Sequence, residues 1–179
     1  MSTKLKIAAA VAAAVLLSAC SSPKHEPMPL VKFTPSMEVT EVWSKGLSSA
    51  EGFLVPAVYD DMVFAAGGKT LTRLNARTGE TEWSVSFNSP ITGGVGSDGY
   101  VTAVGLWDGN LEVVDAEGKV SWEKKLTTEL ASPPVVSHGL VIARTMDTRV
   151  SAFEASSGEL QWTYQRSQPA LTVRLPTRM

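Results

Sequence analysis

Six residues from Gly94 to Gly99, GVGSDG, form a G-x-G-x-x-G pattern that could cradle the phosphates of a dinucleotide. In proteins that use it, the pattern follows a strand and opens a helix, so that the helix N-terminus faces the pyrophosphate. Here the strand-like segment YVTAV follows. The stretch also aligns with the turns of two similar segments elsewhere in the chain. The sequence therefore predicts a β-hairpin at this position.

The remaining polar residues form no catalytic or metal-binding pattern. Asp108 belongs to the Asp-Gly of a hairpin turn, and calcium requires six to eight oxygen ligands. His138 lies in a turn without an acidic or cysteine partner nearby in sequence. Asn75, Asp115 and Glu154 occupy equivalent positions, where turn formation explains them. We therefore expect no metal and no cofactor.

The elements that hold these turns recur about every forty residues. Segments 55–66, 93–104 and 132–143 each predict strand, turn and strand, followed by a third strand and a fourth that carries a tryptophan. No ten-residue window after the N-terminal segment keeps a helical period. The repeated residues are Trp43, Trp83, Trp122 and Trp162, with Gly79, Gly118 and Gly158 four positions before the last three tryptophans.

This repeat predicts an all-β fold built from the four-stranded antiparallel blades of a β-propeller. A single blade cannot bury both of its faces, so each must stack on the next. The tryptophan is expected to provide an inter-blade contact, since its ring brings a large apolar area. The glycine is expected to supply a positive φ in the turn before the outer strand.

The N-terminal segment resembles a bacterial lipoprotein signal. Lys4 and Lys6 precede an apolar run at 7–16, and LSAC then ends at Cys20, the only cysteine in the chain. The resemblance implies cleavage before Cys20 and its acylation. Ser21 follows where retained lipoproteins carry aspartate, which favours the outer membrane. The alternative is an ordinary secretory signal with an incidental cysteine.

Three segments follow from these patterns. Residues 1–19 are predicted to be the signal peptide, 20–40 a lipidated tether rich in proline and polar residues, and 41–179 a partial propeller. The formal net charge is −2, and no basic run offers a footprint for nucleic acid.

The phrase Asn/Asp/Glu-Ala-x-x-Gly-x-x-x-Trp resembles the tryptophan-docking motif of pyrroloquinoline-quinone (PQQ)-type propellers. With the lipoprotein signal, the tether and an early predicted strand at Trp43, VWSKGL, the chain resembles the BamB family of lipoproteins. That family implies a non-catalytic scaffold at the periplasmic face of the outer membrane. The resemblance further implies that such a scaffold docks on a periplasmic POTRA domain of BamA and helps present unfolded outer-membrane protein precursors. Because the family has eight blades, we expect this chain to be a truncated or frame-shifted portion.

The family resemblance also implies a partner surface in LTVR, through Leu171, Val173 and Arg174. The alternative is that these residues begin the inner strand of a fourth blade.

Two other functions stay open. PQQ-dependent dehydrogenases share the docking motif, but they hold the quinone beside a vicinal cysteine pair, and Cys20 stands alone. The second open function is that of a tethered propeller that binds cell-wall or carbohydrate ligands.

Replacement of Cys20 by alanine tests the anchor. Without the sulfur there is no site for the first acyl chains, so the variant should carry no acyl label and should lie in the soluble periplasmic fraction or keep its signal. Metabolic labelling with palmitate measures this. Equal labelling of the variant would contradict the prediction.

Overall fold

The computed structural model describes residues 28, 30, 36–48 and 54–166. The chain divides into two units, Met1–Val39 and Thr40–Met179. In the first unit the described residues are exposed and belong to no helix or strand. The second unit contains all twelve strands found in the described ranges. No helix long and apolar enough to cross a membrane occurs among the described residues.

The strands form three sheets of four. Sheet 1 contains β1 (Ala57–Tyr59), β2 (Met62–Gly67), β3 (Thr70–Asn75) and β4 (Thr81–Ser86). Sheet 2 contains β5 (Ile91–Ser97), β6 (Thr102–Leu106), β7 (Asn110–Val114) and β8 (Val120–Lys125). Sheet 3 contains β9 (Val135–Ser137), β10 (Leu140–Arg144), β11 (Arg149–Glu154) and β12 (Leu160–Gln165). Every neighbouring pair is antiparallel and consecutive in sequence, which confirms the predicted blade architecture.

Burial follows the position of each strand within its sheet. All five residues of β6 are buried, whereas β8 and β12 are largely exposed, because the fourth strand forms the outer edge of its sheet. In each sheet the ladder between the third and fourth strands contains an irregularity close to the tryptophan. Such a bulge adds a residue to one strand and increases the local twist.

The core lies between sheets rather than within them. One cluster of buried residues joins sheets 1 and 2 and includes Phe64, Leu71, Val104 and Leu106. A second cluster joins sheets 2 and 3 and includes Leu111, Val113, Val141 and Phe153. Sheet 2 therefore buries both of its faces, one against each neighbour, and the three sheets stabilise one another by removing apolar area from water.

The structure agrees with the hairpin predicted at Gly94–Gly99 and differs from the strand predicted at Trp43. Gly94–Gly99 spans the end of β5 and the turn into β6, so a strand follows it, as the hairpin interpretation requires. The predicted strand at Trp43 differs from the structure, because residues 40–48 are assigned to no sheet ladder. A strand needs a hydrogen-bonded neighbour, and the described residues supply none beside this segment. Trp43 nevertheless contacts sheet 1.

Candidate functional site

The structure joins each sheet to the next through a tryptophan that reaches the turn before the neighbouring outer strand. Trp83 Nε1, on β4 of sheet 1, donates a hydrogen bond of 2.9 Å to the carbonyl oxygen of Ala116 in sheet 2. Trp122 Nε1, on β8 of sheet 2, donates one of 2.8 Å to the carbonyl oxygen of Ala155 in sheet 3. Each indole therefore satisfies its only polar group while its ring packs between two sheets.

The N-terminal segment makes the same contact with sheet 1. Trp43 Nε1 donates a hydrogen bond of 2.9 Å to the carbonyl oxygen of Ala76, and its ring lies against Gly79. In all three contacts the donor and the acceptor are 33 residues apart. Trp43 therefore occupies the place of an outer-strand tryptophan although its own segment belongs to no sheet.

The receiving turn is built by the residue that precedes the alanine. Asp115 Oδ1 accepts hydrogen bonds from the backbone N–H groups of Glu117 and Lys119, and the backbone N–H of Gly118 bonds to the Asp115 carbonyl oxygen. Asn75 organises the corresponding turn of sheet 1 with its side-chain oxygen. These short polar side chains hold the chain in a turn that leaves the alanine carbonyl free to accept the indole N–H.

The glycine of this turn is required for two separate reasons. Gly158 has a φ of +70°, which a residue with a side chain rarely adopts. A Cβ atom at this position would also lie 2.7 Å from Cδ2 of Trp122. Gly79 and Gly118 repeat both features against Trp43 and Trp83. The glycine is thus the surface on which the indole ring rests.

Trp162 differs from the other three repeat tryptophans. It lies on β12, and 43% of its surface is exposed. Its neighbours Leu160 and Tyr164 on the same strand are exposed as well, at 53% and 61%. Within the described residues no hydrogen bond is recorded for its indole nitrogen. This outer strand therefore presents apolar side chains to solvent in the part of the chain that the structure describes.

An arginine adds to the junction between sheets 1 and 2. Arg73 lies directly across from Trp83 in the β3–β4 ladder, where the later repeats have Val113 and Ala152. Its Nη1 donates a hydrogen bond of 3.0 Å to the Ala116 carbonyl oxygen, which also accepts from Trp83. Its Nε lies 2.6 Å from Glu82 Oε2 in an ion pair. The equivalent ladder positions of sheets 2 and 3 are apolar, so this pair of charged contacts is a feature of sheet 1.

An aspartate adds to the junction between sheets 2 and 3. Asp147 lies in the β10–β11 turn and accepts hydrogen bonds from Thr145 and, at 2.8 Å, from Thr127 in the segment that joins the two sheets. Burial alone would raise the pKa of Asp147, but these hydrogen bonds and nearby Arg149 lower it below its ordinary value. The carboxylate is therefore held in its charged form as part of the turn.

The glycines of the G-x-G-x-x-G pattern have a packing role. A side chain at Gly96 would collide with the carbonyl oxygen of Pro134, and one at Gly94 would lie 2.7 Å from the Pro133 ring. The segment that leads into sheet 3 thus passes directly over β5. Close backbone approach, and not phosphate binding, explains why glycine stands at these positions.

The other residues singled out from the sequence are dispersed or lie outside the described residues. His138 is exposed in the β9–β10 turn, where its Nδ1 lies 2.7 Å from the hydroxyl of Ser137. No group of three or more potential metal ligands occurs among the described residues. Cys20, Leu171, Val173 and Arg174 fall outside the described residues, so the structure does not address their roles.

Sequence reasoning missed Arg73 and Asp147, and it also missed the acidic pair Glu112 and Glu123. Glu112 and Glu123 lie opposite each other on β7 and β8. Aligning the repeats would have shown both unusual columns: Glu112 aligns with Thr72 and Ser151, and Arg73 with Val113 and Ala152. At each of these two repeat positions, one repeat has a charged residue and the other two have small or apolar residues. That difference was the signal in the sequence that could have identified them.

The chain matches the family model described as outer membrane protein assembly factor BamB over residues 39–90 and 67–179. The assembly factor BamB of Burkholderia pseudomallei is 37% identical over 176 residues, which cover 96% of this chain and 46% of that protein. The crystal structure of BamB from Moraxella catarrhalis is 27% identical and superposes with a TM-score of 0.60 over 68% of this chain and 37% of that one.

A europium-containing methanol dehydrogenase also superposes, with a TM-score of 0.60 and 15% identity over 72% of this chain and 27% of that one. At this identity the likeness concerns the fold alone. The chain spans about half the length of the curated relatives it matches.

Substitution of Gly158 by alanine tests the docking contact. Gly139 is the matched control, because its φ of +72° is almost the same and a Cβ there meets nothing within 4 Å. Gly139→Ala should cost about 1–2 kcal/mol from backbone strain alone. Gly158→Ala should cost a further ~1–3 kcal/mol, because the methyl group enters the space of the Trp122 ring. Urea unfolding measures both variants, and equal losses would show that the indole does not rest on the glycine.

Proposed function

Because the chain belongs to the BamB family of outer membrane protein assembly factors, we propose that it is a non-catalytic scaffold that helps insert β-barrel proteins into the outer membrane. Its relatives are named as assembly factors, and that naming supports the class of function. The scaffold would act by binding, offering loops and strand edges to other components of the assembly machinery.

The match to the assembly-factor family is the observation that carries this proposal, and the repeated docking contact gives such a scaffold its structure. The aromatic residue and the glycine that recur in each repeat hold one sheet against the next. Asp115 and Asn75, which could have belonged to a row of catalytic carboxylates and amides, organise the turns that receive the indoles. The repeats therefore hold the sheets together, and the loops that join the strands are available to contact partners.

The proposed location follows from the N-terminal segment. We assign residues 1–19 to a signal peptide, Cys20 to the lipidation site, 20–40 to a tether and 41–179 to the partial propeller. Two or three acyl chains give stable anchoring where a single chain does not. The protein would thus be confined to the periplasmic face of the outer membrane, where barrels are assembled.

The proposed partner is a periplasmic POTRA domain of BamA, with unfolded barrel precursors as further ligands. The contact is assigned to LTVR, in which Leu171 and Val173 alternate and would enter an apolar groove together if the segment is extended. Arg174 would add a charge-assisted hydrogen bond to a carboxylate of the partner. Buried apolar and arginine anchors of this kind dominate many interfaces.

The dehydrogenase alternative has a direct test. If the chain is a scaffold, purified protein should not bind pyrroloquinoline quinone and should not oxidise alcohols or sugars when the quinone and calcium are supplied. Equilibrium dialysis followed by absorption spectroscopy measures the binding. A stoichiometric quinone spectrum would replace the scaffold proposal with an enzymatic one.

Alanine substitution of Leu171, Val173 and Arg174 tests the partner surface in a full-length protein. The triple variant should lose at least about tenfold in affinity for the periplasmic part of BamA, since loss of one interface anchor typically costs more than ~1 kcal/mol. Surface plasmon resonance gives the affinity, and circular dichroism checks the fold.

The matched control removes an apolar and a basic side chain elsewhere. Val120 and Lys124 are exposed on the outer strand β8, so Val120→Ala and Lys124→Ala together should leave capture unchanged. Full affinity in a folded LTVR triple variant would place the surface elsewhere, while capture lost by both variants would indicate a general effect on the fold.

A further inference from the structure

One position is occupied in every sheet by a pair of polar side chains that face each other across the third and fourth strands. In sheet 1 the pair is Thr72 and Ser84, with hydroxyl oxygens 3.1 Å apart. In sheet 3 it is Ser151 and Thr163, at 2.7 Å. Each hydroxyl can donate as well as accept, so these pairs are satisfied at any pH.

Sheet 2 places two glutamates at the equivalent position. Glu112 on β7 lies directly opposite Glu123 on β8, and only 8% of Glu112 is exposed. Two ionised carboxylates cannot hydrogen-bond to each other, because both are acceptors. Sheets 1 and 3 have hydroxyl groups at this position and sheet 2 has carboxyl groups. In sheet 2 a hydrogen bond between the two side chains therefore forms only when one carboxyl group is protonated.

The pair lies at the junction between sheets 1 and 2. Glu112 is opposite Val104 in the β6–β7 ladder, so the two side chains point to the same face of sheet 2. Val104 is fully buried in the cluster that also contains Phe64 and Leu71 of sheet 1. A charge on Glu112 is thus placed at the edge of the apolar contact between the two sheets.

The surroundings of Glu112 supply further negative charge. The negative charges of Glu123 and of Asp108, in the β6–β7 turn, both lie near the Glu112 carboxyl group. Lys125 lies on the same side of β8 as Glu123, and its ammonium group donates a hydrogen bond to the Asp108 carbonyl oxygen. From sheet 1, β3 contributes Arg73, which is engaged with Glu82 and the Ala116 carbonyl.

We propose that Glu112 and Glu123 form a proton-dependent latch, in which protonated Glu112 donates a hydrogen bond to the Glu123 carboxylate and tightens the contact between sheets 1 and 2. Loss of the proton leaves two facing carboxylates beside Asp108 and loosens this contact. The equivalent hydroxyl pairs, Thr72–Ser84 and Ser151–Thr163, do not change with pH.

The direction of the pKa shift agrees with this geometry. Burial raises the pKa of Glu112, and the negative charges of Glu123 and Asp108 and the hydrogen bond with Glu123 raise it further. A group whose pKa is higher in the folded protein binds its proton more tightly there than in the unfolded chain. Its contribution to stability is therefore complete below the ordinary pKa of glutamate and is lost as the pH rises through the folded value.

Glu112→Gln provides the first test, since glutamine keeps the shape of the protonated acid and its donor at every pH. Unfolding by urea should be followed from about pH 4 to about pH 8 in the full chain. The midpoint of the variant relative to wild type should shift upward as the pH rises. Glu117→Gln is the matched control, because Glu117 is exposed in the next turn of the same sheet, and its midpoint difference should stay flat.

A titration of the wild-type protein keeps the proposal testable if a variant fails to fold. Carbon-13 NMR of the glutamate carboxyl groups should give a midpoint for Glu112 above the ordinary value of glutamate, and Glu123→Gln should lower that midpoint. The indole signal of Trp83, at the same junction, should move with the Glu112 midpoint, whereas that of Trp122 should not. A Glu112 midpoint no higher than the ordinary value of glutamate, or a flat difference for Glu112→Gln, would overturn the proposal.

Discussion

The hydrogen bond from a tryptophan indole to an alanine carbonyl of the next sheet is the contact on which the structure depends. A four-stranded sheet with two apolar faces is not stable alone, so its neighbours must be held in a fixed register. The indole sets that register, because its N–H has one acceptor and its ring rests on one glycine. The indole donor and the carbonyl acceptor belong to different sheets. Sheets 2 and 3 are therefore each stabilised by the tryptophan of the sheet that precedes them. The three sheets are thereby linked into one continuous stack.

The junctions share this contact but differ in chemistry around it. Between sheets 1 and 2, Arg73 and Trp83 donate to the same Ala116 carbonyl, and the Glu112–Glu123 pair lies on the facing surface. Between sheets 2 and 3, Asp147 ties a turn to the connecting segment through Thr127. Repeats that look equivalent in sequence therefore need not respond equally to pH or salt, because charged groups respond to both and hydroxyl pairs do not.

The sequence predicted the features that repeat and missed those that occur once. The spacing of the tryptophans, with glycine four residues before, was enough to predict four-stranded antiparallel units and to assign Gly94–Gly99 to a hairpin. It could not reveal that Arg73 reaches Ala116, since 43 residues separate them and the contact exists only after two sheets stack. The strand predicted at Trp43 had the right local pattern, but a strand also needs a neighbouring strand, and neighbours are set by tertiary structure.

Hydrogen exchange of the indole N–H groups tests the docking contact most directly. Trp83 and Trp122 are hydrogen-bonded between sheets, whereas Trp107 lies in the β6–β7 turn with 58% of its surface exposed and serves as an internal reference. If docking holds the sheets together, nitrogen-15 NMR should show the Trp83 and Trp122 indole protons exchanging at least about a hundredfold more slowly than that of Trp107, because they exchange only when a junction opens. Exchange of Trp83 and Trp122 as fast as that of Trp107 would contradict the account.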